Sequence, residues 1–304
     1  MKHNLLALLL GVTPFLFSCQ KEQLPDGTMA EAVAKTTTAS SHSSTGRENC
    51  EPFQFAILAL NNGSLTSSNL DVEGTMGYSK NVTSNSNAHL NVNGSCLVHS
   101  NAAFMYTPAV NAPGLALGLQ TGPAVDWKLD DANTNATTLS AAYRNLVPDF
   151  TYTSITTNKT ITSNCTATGN SNTIVNISSI NLGAGEKLTL VGSPSSDDGF
   201  IINITGNAVF SNSEIVLNNV RAERVLFNFN NNSIVQVTTG SKFQGTILAP
   251  TGIVVYYYPT SFEGSIVAKT IYAYELQGAS GNSGGGGGSN AAQQKPASPP
   301  TSAP

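Results

Sequence analysis

The sequence predicts a mainly β protein, a right-handed β-solenoid (β-helix) of roughly 20-residue coils with one helix packed alongside. Three observations predict it. Apolar, strand-forming runs alternate with Asn/Gly/Ser turns. Two unrelated segments each recur at nearly the same spacing. One interval abandons the strand pattern for a helical period.

The chain begins with an address. Met1-Lys2-His3-Asn4 carries one positive charge, and Leu5 to Phe17 runs almost wholly apolar. Such a run matches a signal-peptide core and is short of the roughly 20 residues that span a bilayer. It ends at Leu16-Phe17-Ser18-Cys19, which resembles the lipobox of bacterial lipoproteins. That resemblance implies a signal peptide over residues 1–18 and acylation of Cys19 as the mature N-terminus. The competing reading is an ordinary secretory signal with an incidental Cys. Two or three acyl chains hold a protein stably on a membrane, at about 0.8 kcal/mol per buried methylene. Gln20 follows where an Asp would resemble an inner-membrane retention signal. The expected location is therefore the outer membrane, lipid-anchored and surface-exposed.

Residues 19–49 are polar and aperiodic, and read as a flexible stalk with a reach near 30 Å. Residues 279–304 are Gly-rich and then Pro-rich, and cannot bury a core. The body is therefore residues 50–278, a length that suits one domain.

Within the body, Phe53 to Leu60 is a strand followed by the turn Asn61-Asn62-Gly63-Ser64. Leu70-Asp71-Val72-Glu73-Gly74 returns 20 positions later as Leu90-Asn91-Val92-Asn93-Gly94. Phe243-Gln244-Gly245-Thr246-Ile247-Leu248-Ala249 returns 19 positions later as Phe262-Glu263-Gly264-Ser265-Ile266-Val267-Ala268. Agreement side chain by side chain favours stacked coils over the hairpins of a plain β-sandwich. Phe243 and Phe262 should stack inward, as should Ile247 and Ile266, with the two glycines at the corner. From Val125 to Val147 the text turns helical: Leu139, Ala142, Tyr143 and Leu146 fall on one face. Thr137 or Thr138 is the expected cap and Pro148 the stop. The helix should lie along the solenoid and cover its core, with Trp127 in an apolar patch nearby.

Composition narrows the function. Only 11% of the 304 residues are charged and the net charge is −4, which excludes a basic nucleic-acid footprint. Asn alone is as frequent as Asp, Glu, Lys and Arg together. Such a surface suits the cell exterior.

Set in order, these segments resemble the choice-of-anchor A domain, a bacterial surface module regarded as adhesive. The resemblance rests on Phe53–Leu60, Gly63-Ser64-Leu65-Thr66, Asp71-Val72-Glu73-Gly74, the central helix, Phe200-Ile201-Ile202-Asn203-Ile204-Thr205-Gly206, Val225-Leu226-Phe227-Asn228-Phe229 and the terminal repeat. It covers residues 50–278 and implies a non-enzymatic adhesin. The terminal repeat is also distantly similar to capping coils of ice-binding-like solenoids.

The chemistry of individual residues agrees. No HExxH, CxxC, P-loop or GxGxxG is present. Asp130-Asp131 and Asp197-Asp198 are sequence neighbours, whereas a glycosidase needs carboxyls about 5–9 Å apart across a cleft. His89 and His99 stand ten apart, half a coil, and are expected on different faces. No catalytic, metal or cofactor residue is proposed. Cys50, Cys96 and Cys165 allow at most one bridge among three pairings. Tyr256, Tyr257 and Tyr258 are the candidate ligand contacts, since Tyr is favoured at recognition surfaces. Alternation points 256 and 258 one way and 257 the other. Tyr272 and Tyr274 could extend them into a stripe. The expected partners are the membrane, through Cys19, and a glycan or extracellular matrix protein. The alternatives are a polysaccharide-active β-solenoid enzyme and an ice-binding-like protein; for the latter, Thr151, Thr153, Thr156 and Thr157 are out of coil register.

Overall fold

The computed structural model describes residues 55–65, 69–84, 89–93, 96–104, 109–111, 119–164, 172–194 and 198–274. The predicted signal peptide, stalk and tail, with Cys19, Cys50 and Cys165, lie outside these residues. The fold is mainly β, with one long helix, and is β-helix-like.

Nine strands precede the helix: β1 (Phe55–Leu65), β2 (Asn69–Glu73), β3 (Thr75–Tyr78), β4 (Asn81–Ser84), β5 (His89–Asn93), β6 (Cys96–Val98), β7 (Ala103–Phe104), β8 (Ala109–Asn111) and β9 (Leu119–Gln120). Helix α1 is Pro123–Arg144. Then come β10 (Phe150–Ile155), β11 (Lys159–Thr162), β12 (Asn172–Leu182), β13 (Lys187–Val191), β14 (Gly199–Ile204), β15 (Ala208–Phe210) and β16 (Glu214–Asn218). The chain ends its described course with β17 (Val225–Phe229), β18 (Ile234–Val237), β19 (Lys242–Gln244), β20 (Thr246–Tyr257), β21 (Ser261–Glu263) and β22 (Ile266–Tyr274).

Every pairing among the described strands is parallel. The strands form a 14-stranded, a 5-stranded and a 3-stranded sheet. The order of stacking is not the order of sequence. The last strand, β22, pairs with β20 on one side and with the first strand, β1, on the other. The described chain thus starts mid-stack, winds outward to β9, crosses along α1 and re-enters at β10, which among the described strands pairs only with β12. It then winds back until β22 closes against β1. A helix of 22 residues is about 33 Å long, the width of about seven strand spacings, so α1 spans most of that crossing. Long strands turn corners: β12 pairs with β14 and then β15, and β20 with β17 and then β18. The β17–β20 pairing therefore closes a six-strand ring.

Both sequence repeats are direct neighbours in the stack. Leu70 pairs with Leu90 and Val72 with Val92; Phe243 pairs with Phe262 and Ile247 with Ile266. The two Phe rings are buried and stack at 5.2 Å and 5°. Gly245 and Gly264 have φ of 126° and 140°, which L side chains rarely adopt. A Cβ on Gly264 would also lie 2.0 Å from the Gly245 carbonyl oxygen. The corner therefore demands glycine twice over.

The uniform 20-residue coil needs correcting. Offsets of 19 or 20 hold for Ile57–Met76, Met76–Cys96 and Phe243–Phe262, but Phe150 pairs with Val175, Asn172 with Gly199 and Lys159 with Leu188. The middle coils carry extra residues at their corners, which lengthens the step without changing the ladder.

The helix also differs from its expected bounds. It starts at Pro123, whose missing N–H costs nothing at N1. Thr137 and Thr138 are interior, and their hydroxyls donate back to the Asn133 and Thr134 carbonyls. The buried stripe is Leu129, Ala132, Ala136, Ser140 and Tyr143, so of the expected face only Tyr143 is fully buried. Trp127, Leu139 and Leu146 pack around the stripe. The helix lies outside the coils, on outward residues that include Leu58, Leu97, Leu226, Leu248 and Val267. The main core is a separate cluster inside.

An asparagine ladder fastens the end of α1. Asn228 Nδ2 donates to Asn203 Oδ1 at 2.7 Å and to the Ser140 carbonyl at 3.0 Å. Asn203 Nδ2 donates to the Tyr143 carbonyl at 2.9 Å and to Asn176 Oδ1 at 3.2 Å. The Ser140 hydroxyl returns a bond to Asn228 Oδ1 at 2.7 Å. Parallel register brings these three asparagines side by side.

Candidate recognition surface

Strands β12, β20, β22 and β1 each present two stretches to the outside. One lies under α1. The other, with β15 and β18, has no element over it among the described residues. Inward positions there are apolar: Ile180, Ala208, Val235, Val254 and Ile271 are neighbours in register and buried. Outward positions form rows across the strands. One row runs Asn181, Val209, Gln236, Val255, Tyr272, Ser64; the next runs Ile234, Ile253, Thr270, Asn62, with Thr270 itself buried. A third pairs Tyr257 with Tyr274.

The tyrosines divide. Tyr256 points inward, only 2% exposed, with its ring 5.4 Å edge-on to Phe262. Burial pushes its phenol above the ordinary value, and its hydroxyl makes no hydrogen bond among the described residues. The expectation of a Tyr256 ligand contact is thus corrected: parity in β20 places it in the core. Tyr257 and Tyr258 are 43% and 38% exposed. They do not oppose each other, because Tyr258 leaves the strand with φ 49° and turns back beside its neighbour. The two rings meet edge-to-face at 4.5 Å, and Tyr257 meets Tyr274 at 5.6 Å. Tyr272 is 36% exposed on the adjacent row. Among the described residues, Val147 is the one exposed large apolar side chain outside this face; Ile234, Tyr257, Tyr258 and Tyr272 lie on it. The stripe's alignment, 257 on 274 at an offset of 17, was not legible beforehand because a bulge between Ala249 and Ile253 shortens the step.

The 5-stranded sheet is different in kind. Lys187 Nζ lies 2.8 Å from Glu214 Oε2, and Lys242 Nζ lies 3.9 Å from Glu214 Oε1. Hydrogen bonding from Lys187 holds the Glu214 carboxyl below its ordinary value. Gln244 donates to Glu263 at 2.9 Å. This face is a self-neutralised ladder.

At the start of α1 the structure gathers residues that sequence reasoning left apart. Asp126 accepts hydrogen bonds from the Ser100 amide, at 2.7 Å, and from the Ser100 hydroxyl. These bonds lower its pKa. His99 sits 3.7 Å from Asp126 and 3.6 Å from Asp130. No signal in the sequence joins them, since the contact spans a coil and a helix. The arrangement ties the start of the helix to the coil through Ser100 and His99. The His89 side chain is not among those described. Cys96 is a free, buried thiol whose pKa burial pushes up to about 12, so it is unreactive. Asp198 is buried and accepts the Ser193 amide at 2.9 Å, as a turn carboxylate does. Among the described residues, no three His, Cys, Asp or Glu cluster as a metal site, and no helix is long and apolar enough to cross a membrane.

A family model described as "Putative Ice-binding-like adhesive domain" matches residues 37–282. No curated protein matches the sequence. Solved structures do. The glycosylated ice-binding protein of an Arctic yeast is 16% identical with a TM-score of 0.52, over 79% of this chain and 96% of that one. The ice-binding protein of the Antarctic ascomycete Antarctomyces psychrotrophicus is 15% identical with a TM-score of 0.51, over 78% and 98%. A domain of an ice-binding protein from Shewanella frigidimarina is 17% identical with a TM-score of 0.52, over 77% and 96%. At these identities the likeness is one of fold.

Proposed function

The chain belongs to the ice-binding-like adhesive domain family, and from that premise we propose that it is a non-enzymatic binding module displayed on the cell surface. One observation carries the reading: the exposed aromatic side chains gather on one uncovered sheet face while the matching face is sealed by α1. Apolar and aromatic surface grouped in one patch marks a contact site. The ligands this suits are glycans and extracellular matrix proteins. The domain, residues 50–278, is a right-handed solenoid, the hand that parallel crossovers take. It stands on a stalk of residues 19–49, with a tail of residues 279–304. Lipid on Cys19 holds it to the outer membrane. Purified protein on a broad glycan and matrix array should give ligands that Tyr257→Ala weakens; silence across the array, with the fold intact by circular dichroism, overturns the reading. Palmitate labelling tests the anchor: wild type should incorporate label and Cys19→Ala should not.

A second reading is ice binding, favoured by the fold shared with the ice-binding proteins. Against it, the outward rows mix Val, Gln, Tyr and Ile where a regular Thr array would be wanted. Thermal hysteresis of the purified protein decides it. A polysaccharide-active enzyme has the weakest support, since the His99–Asp126–Asp130 group serves to hold the helix.

A further inference from the structure

We infer that the uncovered face binds a neutral, linear polysaccharide lying across the strands, along the axis of the stack. This rests on the reading of that face as the recognition surface and names its ligand. Charge is the first argument. The two long outward rows carry amides, hydroxyls, apolar groups and a tyrosine, with no carboxylate or ammonium in them. Lys269, exposed one residue before Thr270, flanks the rows and is not one of their members. A charged polymer would lose hydration here without gaining partners. Hydroxyls of a neutral sugar meet amides and hydroxyls on equal terms. On the 5-stranded sheet Lys187 and Lys242 already pair with Glu214.

Spacing is the second argument. Parallel strands repeat each row at about 4.8 Å. A polymer of pyranose rings, with a repeat of similar length, meets a comparable side chain at each strand. A protein partner, lacking that repeat, gains nothing from it. Ring geometry is the third. Tyr257 is held edge-to-face by Tyr258 at 85° and by Tyr274 at 65°. An aromatic fixed before binding gives up little entropy when a sugar's C–H face settles on it. Gln236 and Asn181, on the neighbouring row, then face the hydroxyl edge.

The test is titration calorimetry of the full chain with cellohexaose, xylohexaose and polygalacturonate, beside a matrix-protein array. A neutral hexamer should bind at least about tenfold more tightly than its dimer, because it spans more strands. Tyr257→Ala and Gln236→Ala should each weaken it, Tyr257→Ala by about tenfold, while Lys187→Ala on the charged ladder leaves it unchanged. Two variants guard against one that misfolds. Binding of polygalacturonate alone, or of matrix protein alone with both neutral hexamers silent, overturns the polysaccharide while the adhesive reading stands. Silence toward all of them removes both.

Discussion

The stretch of sheet beneath α1 and the stretch that carries the tyrosines are built on the same strands. In β20, Leu248 faces outward under the helix and is fully buried, whereas Val255 and Tyr257 face outward beyond the bulge and are uncovered. In β22, Val267 and Tyr272 make the same contrast. Backbone pairing is continuous through both, so the ladder does not distinguish them. What differs is the cover. The covered stretch is apolar without exception around Leu58, Leu248 and Val267, and becomes polar only at the asparagine ladder, where each amide has a helix carbonyl or another amide to meet. The open stretch mixes Tyr, Gln, Asn, Ser and Val. Burial selects the first composition and solvent permits the second. One face serves stability, the other contact.

The largest effects should come from inside the coils and from beneath the helix. Phe243→Ala removes a ring that touches Phe210, Phe227 and Phe262. It should cost about 3–5 kcal/mol. In a domain this size that lowers Tm by on the order of 10 °C. Leu248→Ala should cost about 2–5 kcal/mol, against less than about 1 kcal/mol for Val255→Ala on the same strand. Equal losses in thermal melts of those two would break the comparison between covered and open stretches.

Asn228→Ala comes next. It leaves Asn203 Oδ1 without that donor and the Ser140 hydroxyl without that acceptor, at a cost of about 1–3 kcal/mol. Hydrogen exchange should quicken at the C-terminal turns of α1 and stay unchanged at β20. If α1 is indifferent, the ladder does not fasten the helix.

A smaller, pH-dependent effect belongs to the other end of the helix. Asp126 is held below its ordinary pKa by the Ser100 hydrogen bonds. A depressed carboxylate contributes stability above its unfolded pKa and loses it as pH falls through the folded value. The Tm gap between wild type and Asp126→Ala should therefore be widest near neutrality. It should narrow as pH is lowered from about 6 to about 3, through the ordinary carboxylate range. A gap that widens on acidification would show that the carboxylate is not what pins α1 to the coil.

How much of this was legible in sequence follows from coil length. Where a coil is 19 or 20 residues, Phe243 falls on Phe262 and Leu70 on Leu90, and the eye finds the repeat. Where corner insertions stretch it, Lys187 falls on Glu214 at 27, and neither the register nor the salt bridge can be read. The helix was legible as a helix, but its buried stripe was not. Small Ala132, Ala136 and Ser140 let it approach the sheet closely, and a search for large apolar residues passes over them. The return of β22 to β1 leaves no local trace, since it joins the two ends of the body. Of the candidate site, tyrosine identity was legible; which ring is inward depended on the parity of a strand with a bulge in it.

The smallest expected effect on folding is also the sharpest test of the comparison. Tyr257 packs its ring edges against Tyr258 and Tyr274 and leaves nearly half its surface in water. Removing the ring exposes no core, because the inward position beside it is Tyr256, buried against Phe262. The loss is confined to two edge-to-face contacts, and stability should fall by less than about 1 kcal/mol. Tyr256→Ala, one residue earlier, vacates the core and should cost about 3–5 kcal/mol, the range for a large buried aromatic. Thermal melts of the pair set neighbouring tyrosines of one strand against each other. If Tyr257→Ala proves as damaging as Tyr256→Ala, the open face is structural surface after all, and its aromatics are not held there for a ligand.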